Sequence, residues 1–179
     1  MEHPAGLAQA HRANPSSQHV QLLDCLSLRL NQLAWNQLAN AVFEITALEE
    51  TGMSSAQQIF LDPAARTTYP QWNAVAMEVV GYLRFNAGRD PDNSAIRELV
   101  GELSMKSQTF RSMWSQQTVR DKTHGSKLIN HPVVGALELD FETFRLPDDS
   151  GQALVTYTCL LYTSPSPRDV EEPRMPSSA

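Results

Sequence analysis

Between Val133 and Leu146 apolar and acidic residues alternate one by one, with Leu137, Leu139 and Phe141 set against Glu138, Asp140 and Glu142. Successive side chains of an extended strand leave on opposite faces, so this run makes a strand with one dry face and one wet face. Such a strand belongs in a one-sided antiparallel sheet whose dry face must be covered by another layer. The three carboxylates then read as a solvated face, not as a catalytic cluster. Just upstream, Gly125 opens the β region, Lys127 to His131 reads as a strand, and Pro132 bends it. Leu128 is expected on the dry face with Leu139 and Phe141. After a turn over 147–151, Ala153 to Thr158 reads as the last strand, with either Leu154 or Val155 inward. Near the start, Leu26, Leu28 and Leu30 alternate as a further strand, which Asn31-Gln32 could turn.

The layer that covers this sheet is expected to be helical. Leu38, Ala41, Val42 and Ile45 share a face of one short helix from Gln37 to Ile45, and Gly52 closes that region. Ser54-Ser55 caps a second, ending near Phe60. Asp62-Pro63 is a helix-start signal, and Tyr69-Pro70 opens a long helix. That helix runs to about Ala87, carries Trp72, Val75, Ala76, Val79 and Leu83 at helical spacing, and is closed by Gly88. Two more follow, over 92–105 with Ile96, Leu99, Val100 and Leu103 inward, and over 107–117 with Phe110, Met113 and Trp114 on one face. Strand, helices, then a β-meander is an α+β order, not a parallel α/β one. No internal repeat breaks it.

Several function classes are excluded or left without support. The net charge of -6 and the lack of a basic stripe make the chain a poor binder of nucleic acid by itself. No apolar run is long enough to span a membrane, and Met1 to Asn14 lack the apolar core of a secretion signal. Cys25 and Cys159 cannot make a disulfide framework, so a reducing cytoplasm is expected. The five histidines (3, 11, 19, 124 and 131) show no metal-ligand spacing, and no phosphate loop, nucleophile elbow or dinucleotide fingerprint occurs. No metal, no cofactor and no catalytic residue is expected. Cys25 reads as a small buried hydrophobe.

Six segments, in order, carry a resemblance. They are Leu33-Ala34-Trp35-Asn36-Gln37-Leu38-Ala39; Phe60-Leu61-Asp62-Pro63-Ala64-Ala65-Arg66 with Tyr69-Pro70-Gln71-Trp72; Ala87-Gly88-Arg89-Asp90-Pro91-Asp92; Leu99 to Ser104; Phe110-Arg111 with Trp114; and His131-Pro132-Val133-Val134-Gly135. Over about residues 25–158 the chain resembles the MmyB-like ligand-binding domain that follows a helix-turn-helix domain in XRE-type bacterial transcription regulators. It departs from that family after the helix tryptophan, where Gln117 and Thr118 stand in place of His and Asp.

The resemblance implies a PAS-like antiparallel sheet with helices packed over a pocket for a small apolar molecule such as a fatty acid. It also implies DNA contact only through the missing helix-turn-helix, and it leaves a homodimer open. Trp72, Val75, Val79, Leu83, Leu99, Leu103, Phe110 and Trp114 would then meet a sheet face bearing Leu128, Leu139 and Phe141. Asn36, Arg66, Tyr69, Arg111 and His131 are the candidate polar anchors. Each of these residues could equally be core or a surface ion pair. The rival readings are a closed module that only dimerises, and an enzyme, which would need perturbed ionisable groups gathered in a cleft.

Residues 1–24 read as a linker or remnant of an upstream region, and 25–158 as the domain. Residues 159–179 hold 4 of the 11 prolines and no periodic pattern. Cys159 to Asp169 back-translates into a string similar to a sequencing-library adapter, so this segment is expected to be read-through of a library end and not part of the domain.

Overall fold

The computed structural model describes residues 21–116, 123–147 and 151–159. Among them five strands form one sheet: β1 (Gln21–Leu26), β2 (Gln32–Trp35), β3 (His124–His131), β4 (Gly135–Arg145) and β5 (Ala153–Cys159). Their order across the sheet is β2-β1-β5-β4-β3, and every neighbouring pair is antiparallel. The chain is therefore α+β, and among the described residues the first strand, β1, pairs directly with the last, β5. That first strand begins at Gln21, inside the stretch expected to be linker. The 26, 28, 30 alternation is a turn instead. Ser27 Oγ accepts from the backbone N–H of Arg29 and Asn31, and Leu30 adopts a left-handed φ of 59°. Leu26 and Leu30 still enter the core, which is why the spacing mimicked a strand. Residues 1–20 of the expected linker, the departure at Gln117 and Thr118, and the histidines at 3, 11 and 19 lie outside the described residues.

Seven helices are described. They are α1 (Gln37–Phe43), α2 (Ile45–Glu50), α3 (Ser55–Leu61), α4 (Ala65–Thr68), α5 (Trp72–Arg89), α6 (Ser94–Lys106) and α7 (Gln108–Ser115). The single helix expected over 37–45 is two, because Glu44 turns left-handed (φ 51°) between them. Asn40 Oδ1 accepts from both the N–H and the hydroxyl of Thr46 across that joint. Ser54 and Gln57 make the capping box of α3, while Asn36, Asn93 and Ser107 cap α1, α6 and α7 with their side chains. Gly88 does not end α5; the helix continues to Arg89 and Asp90 caps it.

The β3–β4 register sets which side chains share a face. Lys127 lies opposite Leu139, Ile129 opposite Leu137, and Leu128 opposite Glu138. Leu128 is thus on the outer face, and Ile129, 1% exposed, takes the core position expected for it. Leu139 and Phe141 are buried as the alternation required. On β5 the inward set is Ala153, Val155 and Tyr157, which settles the open choice in favour of Val155. Pairing with β1 places Leu22, Asp24 and Leu26 beside them on that same face. The hairpin tip turns at Gly135, whose φ of 79° favours glycine. Leu28, in the turn after β1, lies so close to Gly151 (φ 66°) that an added Cβ would overlap its side chain.

Candidate functional site

The long helix α5 is the central piece, and its contacts divide by face. Toward the other helices, Trp72 Nε1 donates to the Ile59 carbonyl at 2.9 Å, and the Trp72 ring meets Phe60 edge-on at 5.7 Å. Phe60 in turn meets Phe110 at 4.9 Å, and Phe110 stacks on Trp114 at 5.6 Å. Arg84 of α5 lies 4.6 Å from the Trp114 ring centre. Trp72, Phe110 and Trp114 therefore form an aromatic column among α3, α5 and α7, where they had been expected to meet the sheet. Toward the sheet, α5 presents another stripe. The Tyr82 hydroxyl donates to the Ser27 carbonyl at 3.2 Å, and the Arg145 guanidinium sits 3.8 Å over Phe85 and 5.9 Å from Tyr82. Glu78, one turn before Tyr82, acts electrostatically on Tyr157 of β5.

Between that stripe and the sheet, ionisable groups gather where a simple core would be aliphatic. Asp24 of β1 is 5% exposed, and its Oδ1 is buried with no hydrogen-bond partner. Burial pushes its pKa from 3.8 up to about 7, against the pull of the Lys127 ammonium. Lys127 reaches in from β3, with Nζ 5.3 Å from the Phe141 ring and 5.8 Å from the Tyr157 ring. Tyr69, just after α4, is buried, and burial together with the nearby Asp24 pushes its phenol up to about 12. Burial chiefly, with Asp24, Tyr69 and Glu78 adding to it, also raises Tyr157. Phe43 covers Tyr157 from α1 at 4.8 Å. A carboxyl group that is half-neutral near pH 7 can both donate and accept a hydrogen bond. Buried, and acting electrostatically with the Lys127 ammonium and the Tyr69 and Tyr157 phenols, it is equipped to hold a polar group within an apolar lining.

The expected site residues fall into three groups. Tyr69, Leu139 and Phe141 lie at this polar interior. Val75, Val79, Leu83 and Leu103 are buried in the same hydrophobic cluster as Trp72 and Phe110. The remaining anchors are engaged elsewhere or exposed. Asn36 caps α1 through the Ala39 N–H and bonds to Leu23 N–H and the Gln21 carbonyl. His131 Nδ1 accepts from the N–H groups of Val133 and Val134, so Nε2 carries the proton donated to the Ala41 carbonyl at 2.9 Å. Arg66 stacks 3.8 Å over Trp72 beside a surface cleft of about 470 Å³, and Arg111 is exposed. A second cleft, of about 550 Å³, lies on the outer sheet face between Gln21, His124, Asp140 and Glu142. Among the described residues no group of His, Cys, Asp and Glu could hold a metal ion, and no helix is long and apolar enough to cross a membrane.

Asp24, Lys127 and Tyr157 were not singled out from sequence. One signal was available: Leu22-x-Asp24-x-Leu26 places an acid at the inward position of a period-two pattern. Reading that stretch as linker hid it, and the one-residue slip at Leu128 hid Lys127.

The family model described as the MmyB-like transcription regulator ligand binding domain matches residues 26–167. The match continues past Cys159, which itself pairs with Leu139 in the sheet and packs on the core. No curated protein matches the chain.

Proposed function

Since the chain belongs to the MmyB-like transcription regulator ligand binding domains, we propose that it senses a fatty acid held between α5 and the inner face of the sheet. The domain binds and does not catalyse, and it acts in the cytoplasm of a bacterium. Ligand shifts the packing of α5 on the sheet, and this biases a helix-turn-helix domain attached upstream, through which alone DNA is contacted. The observation that carries the reading is the buried Asp24 on the inner sheet face, with the Lys127 ammonium, Tyr69 and Tyr157 acting on it, the Phe141 and Tyr157 rings beside Lys127, and Glu78 of α5 acting on Tyr157. Buried polar groups within an aromatic lining serve to orient an otherwise apolar guest. A five-stranded antiparallel sheet covered by helices on one face supports the PAS-like arrangement. Burying a long acyl chain gains about 0.8 kcal/mol per methylene, so one polar anchor suffices for useful affinity. Native mass spectrometry of the chain purified from a bacterial host tests this. The expected result is an adduct with the mass of a long-chain fatty acid; a bare chain that also refuses added fatty acid refutes it.

A second reading, a module that only dimerises, has one observation in its favour. Ala34, Cys25, Leu154 and Phe144 follow one another across the outer face of β2, β1, β5 and β4, and Phe144 is 49% exposed. A ligand-free dimer that Phe144→Glu dissociates would support it.

A further inference from the structure

Asp24 poses a question that an apolar tail does not answer. Its Oδ1 is buried without a hydrogen-bond partner, whereas nearly all buried polar atoms of folded proteins have one. The groups that bear on it come from every side. Lys127 reaches in from β3, Tyr157 from β5 and Tyr69 from the end of α4; Glu78 of α5 acts on Tyr157, and Cys25 is its chain neighbour. Among these Lys127 is the cation, and Glu78 is the one other carboxyl group.

An incoming carboxylate would add a further negative charge to a poorly solvated space served by one ammonium. Two carboxyl groups in such a place cannot both ionise without large repulsion, but they are stable as a pair that shares one proton. An ammonium ligand would instead require Asp24 to be ionised, which its burial opposes. Resting on the reading that the ligand is a fatty acid, we propose that Asp24 is the head-group anchor, holding the ligand carboxyl as an O–H···O pair with one shared proton while the Lys127 ammonium balances the remaining charge. In this pair Asp24 Oδ1 gains the partner it lacks. Below neutrality Asp24 already carries the proton. Above it, the proton must be taken from solvent, so affinity falls as pH rises.

The test is calorimetric titration of the whole chain with decanoate at micromolar concentration, and with 1-decanol. Each is run in two buffers of different ionisation enthalpy, so that protons are counted. With Asp24 near the value given above, decanoate binding weakens about tenfold between about pH 6 and pH 8, with ~1 proton taken up at the higher pH. The alcohol, which carries its own O–H, shows neither effect. Asp24→Asn, whose amide donates at any pH, binds decanoate with no slope and no proton uptake. The anchor is refuted if the wild type binds decanoate without proton uptake, or if Asp24→Asn keeps the slope; the fatty-acid reading survives both outcomes. If the wild type binds neither compound at any pH, both fall. The wild-type proton count needs no variant, so it decides even if Asp24→Asn fails to fold.

Discussion

Replacing Asp24 by Asn should change how stability depends on pH, and the sign follows from the direction of its shift. Burial raises this acid from 3.8 to about 7, so the folded chain holds the proton more tightly than the unfolded chain does. Stability from this group is therefore fully present below about pH 4 and is lost as pH rises through about 7. The whole difference amounts to about 4 kcal/mol, at about 1.4 kcal/mol for each unit. Between pH 5 and pH 8 the share lost is about 2.5 kcal/mol. An amide of the same shape does not titrate. Its buried Nδ2 still lacks a settled partner, at about 1–3 kcal/mol, but that penalty is the same at every pH. The readout is thus a difference of slopes and not of absolute stabilities. Urea unfolding followed by tryptophan fluorescence at several pH values should show wild type losing about 2.5 kcal/mol relative to Asp24→Asn over that range. Parallel curves for the two proteins would mean that Asp24 is hydrated or paired in solution, and would refute the picture of an enclosed carboxyl.

Three further outcomes are expected. Trp72→Phe removes the donor to the buried Ile59 carbonyl and should lower stability by about 1–3 kcal/mol in thermal or urea unfolding. Val79→Trp, at a buried position on the α5 stripe shared with Trp72, should overpack the helical layer by about 1–3 kcal/mol while the circular dichroism and fatty-acid uptake persist; a folded variant that loses uptake places the ligand among the helices instead. Removing residues 160–179 should leave stability within about 0.5 kcal/mol, since they carry no periodic apolar pattern. A cut that also removes Cys159 should lower it further, because Cys159 pairs with Leu139 and packs on the core.

The parts of the fold written in strong local signals were legible. The alternation over Leu137–Glu142 gave the wet and dry faces of β4, and Ser54 caps α3 as its position before Ser55 indicated. The polar interior was not legible, for two physical reasons. A strand has period two, so the one-residue error at Leu128 moved Lys127 to the wrong face. A helix packed on both sides carries two apolar stripes, and sequence alone does not say which meets the sheet. On α5 the stripe through Trp72 turns toward α3, and the one through Tyr82 and Phe85 meets the sheet. His131 illustrates a third reason. Its position beside Pro132 resembles a site motif, yet both ring nitrogens are engaged in holding the hairpin turn and α1.

The claim that matters most is the location of the ligand between α5 and the inner sheet face. Photo-crosslinking with a fatty acid that carries a diazirine on its chain, followed by peptide mass spectrometry, tests it directly. Labels are expected on residues of α5 and the sheet that face each other, such as Glu78, Tyr82, Leu139 and Phe141, and are lost when unlabelled fatty acid competes. Labels confined to the outer face, at Leu154 and Phe144, or labels that competitor does not displace, would contradict it.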